Sequence, residues 1–462
     1  MTDYLGELIK GKRVLILGFG KEGQSTYRQI RKFFPDQDLI IGDKNPELCE
    51  IYQELANDSH LILRLGNEYC ADALSVGLII KSPGIPFSEL PETIDREIVQ
   101  SQADIFIRSF RNQIIGITGT KGKSTTSSLI YHILKGVTSN VLLVGNIGLP
   151  PFEMLDEINS ETIIVNELSS HQLERLRVSP KYAILLNVFR EHLDHYDSYE
   201  AYQEAKFNIV RYQQPEDYFI YFNENPIINK LINLHSVKSL KFPYSDTKTI
   251  GISCYQEEGF IIWQQGKARQ AVYELSGKRS LAGVHNVLNL MAAISYCKIA
   301  GISDEKIEEG IGSFSALPHR LEYIGKINEI DFYNDSIATI PEAALAAIHA
   351  ISGVNTIILG GKDRGLDYSD LLNYLSSSTI ENLIFMGECG NRMQDEYRNI
   401  ADKNQKIFLA KDFAEVVRLG ITKTATGKVC LLSPAAASYD WFYNFEERGN
   451  EFKRLLRAFP EI

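Results

Sequence analysis

The 462-residue chain contains no apolar run approaching the roughly 18–20 residues that a bilayer-crossing helix needs, so no segment is expected to span a membrane. Cysteine is scarce. The six present (Cys49, Cys70, Cys254, Cys297, Cys389, Cys430) lie far apart with no CxxC pair. That argues against a disulfide framework and against a zinc site of the usual spacing, and it fits a reducing cytoplasm. Basic excess is also missing. The net charge of −11 argues against sequence-independent nucleic-acid binding, which requires a positive surface to neutralise phosphates. A small anionic substrate stays open, because a few local lysines and arginines suffice to hold one. The opening stretch MTDYLGELIKGKRVLILGFG has only a short apolar run ending in glycines, the pattern of a strand entering a turn and not of a signal peptide. Internal repeats and low-complexity tracts are absent.

The remainder is an ordinary globular composition, 44% hydrophobic and 23% charged, long enough for two to four domains with their own cores. Three α/β blocks can be marked out. In residues 1–108, RVLILG reads as a buried strand, 22–34 as a helix, and DLIIGD and VGLIIKSPG as further strands. In 109–317, QIIGI, NVLLVGN, TIIVNELSS and YAILLNV are apolar runs with polar tails, and YQEEGFIIWQQGKARQAVY alternates like an inserted hairpin. In 318–462, NTIILGG, NLIFMGE and KVCLLSPAAAS are strands leading into turns, and Pro318 marks a linker. Strands alternating with helices predict parallel sheets. Ligands gather at the carboxyl ends of such strands, so Asn146, Glu167 and Asn187 are expected near one another.

Four stretches carry chemistry. GFGKEG (Gly18, Gly20, Gly23), with Asp43 about 20 residues on, fits a dinucleotide fingerprint. The same glycines admit any phosphate to the following helix N-terminus, or form a tight turn with no ligand. GITGTKGKSTT (116–126) reads as a phosphate-cradling loop. Lys123 and Ser124 stand where a P-loop puts its phosphate-binding lysine and magnesium-binding hydroxyl, but the first glycine of that pattern is replaced by Ile117. Gly116, Gly119 and Gly122 free the backbone to aim its N–H groups at phosphate. Glu167 ends the TIIVNE run, placed either to ligate magnesium or to favour a helix dipole as a first-turn acid. In NVFREHLDHYDSYEAYQEAKFNIV, His192 and His195 form an HxxH pair beside Glu191 and Asp194, a weak metal signal. Lys206 lies on a helical face with Tyr202, where snorkelling from an apolar face is the simpler explanation.

Together, GITGTKGKSTT, NELSS, NVFREHLDHY…EAKF, HNVLNLMAAI, LPHRLE, NDSIAT and SPAAASYDWFYNFEERGNEF resemble the Mur ligases over nearly the whole chain. Within that family the likeness is to the branch that adds glutamate to UDP-N-acetylmuramoyl-L-alanine. The resemblance implies three domains: a Rossmann-like first domain (1–108) for the UDP-substrate, a central P-loop ATPase-type domain (109–317) with a mostly parallel sheet, and a Rossmann-like third domain (318–462) for the amino acid. It implies ATP bound by Gly119, Thr120, Lys121, Gly122, Lys123, Ser124, Thr125, Asn286, Asn289, Arg320 and Asp335. It implies two Mg²⁺ ions, held through Ser124, Glu167, His192 and Lys206, the last as a carbamate whose oxygens are hard ligands. The UDP-substrate would rest on Gly18, Gly20, Gly23, Asp43, Lys44, Ser82, Pro83, Gly84, Gly145 and Asn146, which turns the nicotinamide reading of GFGKEG into a decoy. Glutamate would meet Thr339, Arg364, Ser438, Tyr439 and Phe445.

The implied reaction phosphorylates a carboxylate with ATP, and the glutamate amine then displaces phosphate. Lys123, Glu167, His192 and Lys206 are the catalytic candidates, and no side-chain nucleophile is needed. Closure of the third block about a hinge near residue 318 would exclude water from the acyl phosphate. One position departs from the family pattern N-D-S-K-A-T: Ile337 replaces the lysine, leaving Arg364 to grip a carboxylate. D-glutamate is the favoured acceptor, with L-glutamate as the alternative. An NAD-dependent oxidoreductase explains GFGKEG but not the loop, Glu167 or Lys206. A folylpolyglutamate synthase shares the loop but not a UDP-binding first block. The expected protein is a cytoplasmic monomer acting on small molecules.

Overall fold

Parallel strands buried on both faces need near-continuous apolar runs, and Val14–Leu17 is such a run, with all four residues buried. The computed structural model describes residues 2–190, 195–276, 281, 284–315, 318–400 and 405–459. Among these, three sheets form. The first runs Leu61–Leu65, Leu39–Asp43, Val14–Leu17, Leu78–Lys81, Val99–Gln100, all parallel. The chain leaves Val14–Leu17 toward one edge and returns on its other side. The crevice at this switch of direction lies at the carboxyl ends of Val14–Leu17 and Leu78–Lys81.

In the second sheet Ile114–Thr118 lies between Ile163–Glu167 and Tyr182–Leu185, with Val141–Gly145 at one edge. On the other side follow Tyr218–Phe222, Leu240–Ser245 and Cys254–Glu257, still parallel. The alternating stretch then adds Phe260–Gln265 and Ala268–Glu274 antiparallel, as the inserted hairpin predicted. In the third sheet Glu322–Ile327 pairs antiparallel with Ile330–Asn334. Val429–Leu432, Val354–Gly360, Asn382–Met386 and Lys406–Leu409 follow in parallel.

The described chain divides into two compact units, one built around the first two sheets and the other around the third. The first two sheets share an apolar core. Helix Gln102–Phe110, capped by Ser101 accepting from the Asp104 N–H, sends Phe106 and Ile107 into one cluster with Phe152, Leu173 and Leu176. Each such buried side chain contributes roughly 1.5–3 kcal/mol. The exposed ion pairs that also bridge the two sheets, Arg28–Glu153 and Lys32–Asp156, add about 1 kcal/mol or less each. Apolar burial therefore holds this unit together. In the third-sheet unit, Leu359, Phe385, Leu371 and Tyr397 fill one face, and Phe332, Ile384, Val416 and Phe452 the other.

Candidate active site

Strand Ile114–Thr118 runs through Gly119–Gly122 into helix Lys123–Lys135. Gly122 is the helix N-cap at φ +86°, and a Cβ there would lie 2.3 Å from Asn289 Oδ1. The cap carries no side-chain hydrogen bond, and a helix N-terminus after such a glycine loop is a place where an anion can bind. The loop is held from neighbouring strand ends. Asn187 accepts from the Lys121 N–H at 2.8 Å and donates to its carbonyl at 3.0 Å. Thr120 Oγ1 shares a hydrogen with the Tyr202 hydroxyl at 2.8 Å and accepts from the Phe189 N–H at 2.9 Å. Lys123 Nζ donates to the Gly119 and Thr120 carbonyls at 2.9 and 3.0 Å. Lys206, buried on helix Tyr199–Arg211, donates to the same Gly119 carbonyl at 2.9 Å. Two ammonium groups thus converge on one loop carbonyl, so Lys206 is not a snorkelling surface lysine. Ser124 is half-buried and Thr125 buried in the first helical turn, and Asn289 Nδ2 donates to Asn286 Oδ1 at 3.1 Å beside them.

Glu167 ends the adjacent strand and is fully buried. Its Oε1 accepts from Asn146 Nδ2 at 2.8 Å, and Oε2 has no hydrogen-bond partner among the described residues. The Asn146 N–H bonds the Glu167 carbonyl at 2.9 Å after Gly145, which turns at φ +105°. An enclosed carboxylate oxygen without a partner is costly, and a hard divalent cation would satisfy it. Among the described residues no group of three His, Cys, Asp or Glu forms a metal cage. Mg²⁺ takes one or two carboxylates and completes its shell with phosphates and water, so a single buried carboxylate such as Glu167 would fit it. His192 lies outside the described residues. His195 packs against His171 with ring centroids 4.1 Å apart.

The turn of the first sheet is held differently. Gly18 adopts φ +89°, and Gly23 packs so closely that a Cβ would lie 2.0 Å from the Gly18 carbonyl. Asp43 accepts from the Phe19 N–H at 2.7 Å, which pins the glycine turn, and with its other oxygen from the Asn45 N–H at 2.8 Å, which holds Asp43 itself in place. Ser82 Oγ donates to the Gly18 carbonyl at 2.9 Å. Gly20 caps helix Lys21–Phe33 without a side-chain bond, and a Cβ on Gly20 or Gly84 would meet nothing within 4 Å. Pro83 is half-buried, and Lys44 pairs with Glu89 at 2.7 Å on the surface.

In the third-sheet unit, burial pushes the Asp335 carboxyl up to about 7, against the Ser433 hydroxyl, the Leu321 N–H and the Arg320 charge. Ser433 Oγ donates to it at 2.8 Å and Leu321 N at 3.1 Å. Arg364 donates to the Thr339 carbonyl at 2.9 Å, which brings those two candidates together. Ile337 is half-buried, with its N–H on the His319 carbonyl. Ser438 is buried, Tyr439 exposed, and Phe445 opens helix Phe445–Ala458.

Sequence reasoning did not single out Arg448, buried with its guanidinium on the Ser336, Ala436 and Ala437 carbonyls. It also passed over Lys81, Gln172 and Glu174. The usable signals were an arginine inside NFEERGNEF and a lysine closing an apolar strand.

A phosphate loop at the centre of a parallel sheet, with a buried carboxylate on the neighbouring strand and two lysines on the loop, defines a nucleotide-using α/β enzyme. Residues 117–297 match the Mur ligase middle domain, and 319–436 match the Mur ligase glutamate ligase domain. The UDP-N-acetylmuramoylalanine–D-glutamate ligase of Geobacillus kaustophilus is 34% identical over 450 residues, 96% of each chain. The enzyme of that name from Clostridioides difficile is 31% identical over 96% of this chain and 98% of its own. Among solved structures, MurF from Acinetobacter baumannii aligns over 99% of this chain and 98% of its own, at TM-score 0.62 and 16% identity. MurC from Thermotoga maritima aligns over 97% and 99%, at TM-score 0.57 and 16% identity. The chain belongs to the Mur ligase family, whose members form amide bonds with ATP and Mg²⁺.

Proposed function

We propose that this ligase joins D-glutamate to UDP-N-acetylmuramoyl-L-alanine, with ATP phosphorylating the substrate carboxylate, in the bacterial cytoplasm. The observation that carries the reading is the central loop, where Lys123 and Lys206 share the Gly119 carbonyl and the neighbouring strand ends in Glu167, whose Oε2 has no hydrogen-bond partner among the described residues. The full-length relatives named for D-glutamate support that acceptor over L-glutamate.

In this reading Lys123 and the loop N–H groups hold the nucleotide phosphates and neutralise charge as the phosphoryl group moves. Glu167, Ser124, His192 and Lys206 as a carbamate hold two magnesium ions, which when bound supply electrophilic stabilisation of phosphate oxygens. The acceptor amine displaces phosphate from the acyl phosphate, so no side-chain nucleophile is used. The glycine turn of block 1–108 carries the uridine diphosphate, with Asp43 holding the turn's shape. Block 109–317 carries ATP on its loop with Asn286 and Asn289, and Arg320 and Asp335 are the nucleotide-contact candidates of block 318–462. In block 318–462 Arg364, with Thr339, Ser438, Tyr439 and Phe445, receives glutamate. Ile337 offers no charge there, so Arg364 supplies the cation.

Phosphate release from ATP with UDP-N-acetylmuramoyl-L-alanine tests the reading. Release with D-glutamate and little with L-glutamate is expected, and none with either sinks it. Size-exclusion chromatography should return a monomer of 52.2 kDa.

A further inference from the structure

Two polar connections join the first sheet to the central one at the end carrying both glycine turns, and neither involves a residue assigned above. Lys81, the last residue of its strand, is 4% exposed. Its Nζ donates to the Ser82 carbonyl at 3.2 Å and the Ile85 carbonyl at 2.5 Å, so it braces the Ser82-Pro83-Gly84 turn from within. The same Nζ lies 3.8 Å from Oε2 of Glu174, which is equally far from His195 Nε2. Beside it, Glu22 Oε1 accepts from Gln172 Nε2 at 2.6 Å. Gln172 belongs to helix Ser170–Leu173, locked by a capping box with Ser169, and that helix begins three residues after Glu167. Enclosing an ammonium group is costly unless it is paired, and removing one partner strands the other. A strand end that only had to enter a turn would need no such group.

We propose that Lys81 and Glu174 are positioning residues for the ligase reaction. The pair fixes the 82–85 turn relative to the helix that follows Glu167, and so sets where the carboxylate of a nucleotide-sugar substrate held on the first sheet meets the phosphate loop. The Gln172–Glu22 bond is a second strap across the same gap. The role as stated rests on the ligase reading; the strap itself does not.

Lys81→Met and Glu174→Gln, singly and together in the full chain, test it. Each single change should raise KM for UDP-N-acetylmuramoyl-L-alanine by about tenfold and leave KM for ATP within about twofold. The double variant should be no worse than Lys81→Met, which already removes the pair along with the two carbonyl bonds, and Lys81→Arg should recover most of the loss. Additive losses, or equal rises in both KM values, overturn the proposal; a merely structural role would lower Tm without separating the two. Hydrogen exchange needs no turnover. In Lys81→Met the amides of Ser82, Gly84 and Ile85 and those of 168–174 should gain exchange together, and a gain confined to one segment overturns the pair. If Lys81→Met does not fold, Glu174→Gln carries both readouts. A wild-type chain that releases no phosphate defeats the ligase reading, while exchange still decides the strap.

Discussion

The two glycine turns share one local design and differ in what surrounds it. Each follows a buried parallel strand and opens a helix whose N-cap glycine makes no side-chain bond. Around the first turn an acid and a hydroxyl, Asp43 and Ser82, bind its backbone, and Lys21 points to solvent. Around the second, two lysines converge on Gly119 and a buried carboxylate stands on the next strand. Oriented N–H groups suffice to hold a diphosphate that stays intact. Moving a phosphoryl group requires charge to be neutralised as it develops. On the proposed ligase reading, the difference teaches that the glycines mark where phosphate approaches, and the charged side chains gathered around the second turn mark where chemistry happens.

The strongest way to break this contrast is Lys123→Ala. Losing one electrostatic stabiliser should lower kcat by about 10²–10³, with affinity for the UDP-substrate unchanged by calorimetry. A fall in UDP-substrate affinity of the same size would merge the two turns into one function.

Next in size is a pH effect at the first turn. Burial raises the Glu22 carboxyl from 4.5 to about 7, opposed by the Gln172 hydrogen bond and the Lys81 charge. An unfolded glutamate ionises near 4.5, so between 4.5 and 7 the folded chain binds more protons than the unfolded one. Stability therefore falls as pH rises through that window and levels off above it. The shift corresponds to on the order of 3 kcal/mol. Relative to Glu22→Gln, the wild-type urea midpoint should drop between pH 5 and 8. A constant difference would show that Glu22 is ionised throughout.

Gly23→Ala should come third. Its Cβ would meet the Gly18 carbonyl at 2.0 Å, and backbone cannot swing aside as a side chain can. The shift should cost roughly 1–3 kcal/mol and raise KM for the UDP-substrate but not for ATP. Gly122→Ala is the mirror case: its Cβ meets the Asn289 side-chain oxygen at φ +86°, so its effect should fall on ATP.

Much of this was legible in the chain. The strands at 14–17, 39–43, 114–118, 163–167, 354–360 and 429–432 stand where the apolar runs put them, because strands buried on both faces cannot tolerate interruption. Asn146 does meet Glu167, and Asn187 meets the loop at Lys121, since a parallel sheet sets its carboxyl ends side by side. Half-buried strands were harder. Leu61–Leu65 has no fully buried residue, so its run is no stronger than that of a helix face. Lys81 and Glu174 were invisible for another reason: 93 residues separate them, and no local pattern announces a charge pair formed by packing. The expectation of a carbamate on Lys206 rests on family likeness alone, because a lysine on an apolar helix face has a simpler explanation.

The finest test of the contrast is Asp43→Asn. The carboxylate accepts from two backbone N–H groups, Phe19 and Asn45. Asparagine keeps one acceptor oxygen and turns an amide nitrogen toward the other N–H, which is left without a partner. Charge-assisted bonds of this kind are worth about 1.5–3 kcal/mol, but the surviving bond and the Ser82 hydroxyl still pin the turn. A net loss near 1 kcal/mol, about fivefold in KM for the UDP-substrate, should follow, with kcat and KM for ATP unchanged. If kcat fell instead, Asp43 would be acting on the chemical step, and the first turn would no longer be a holder distinct from the second.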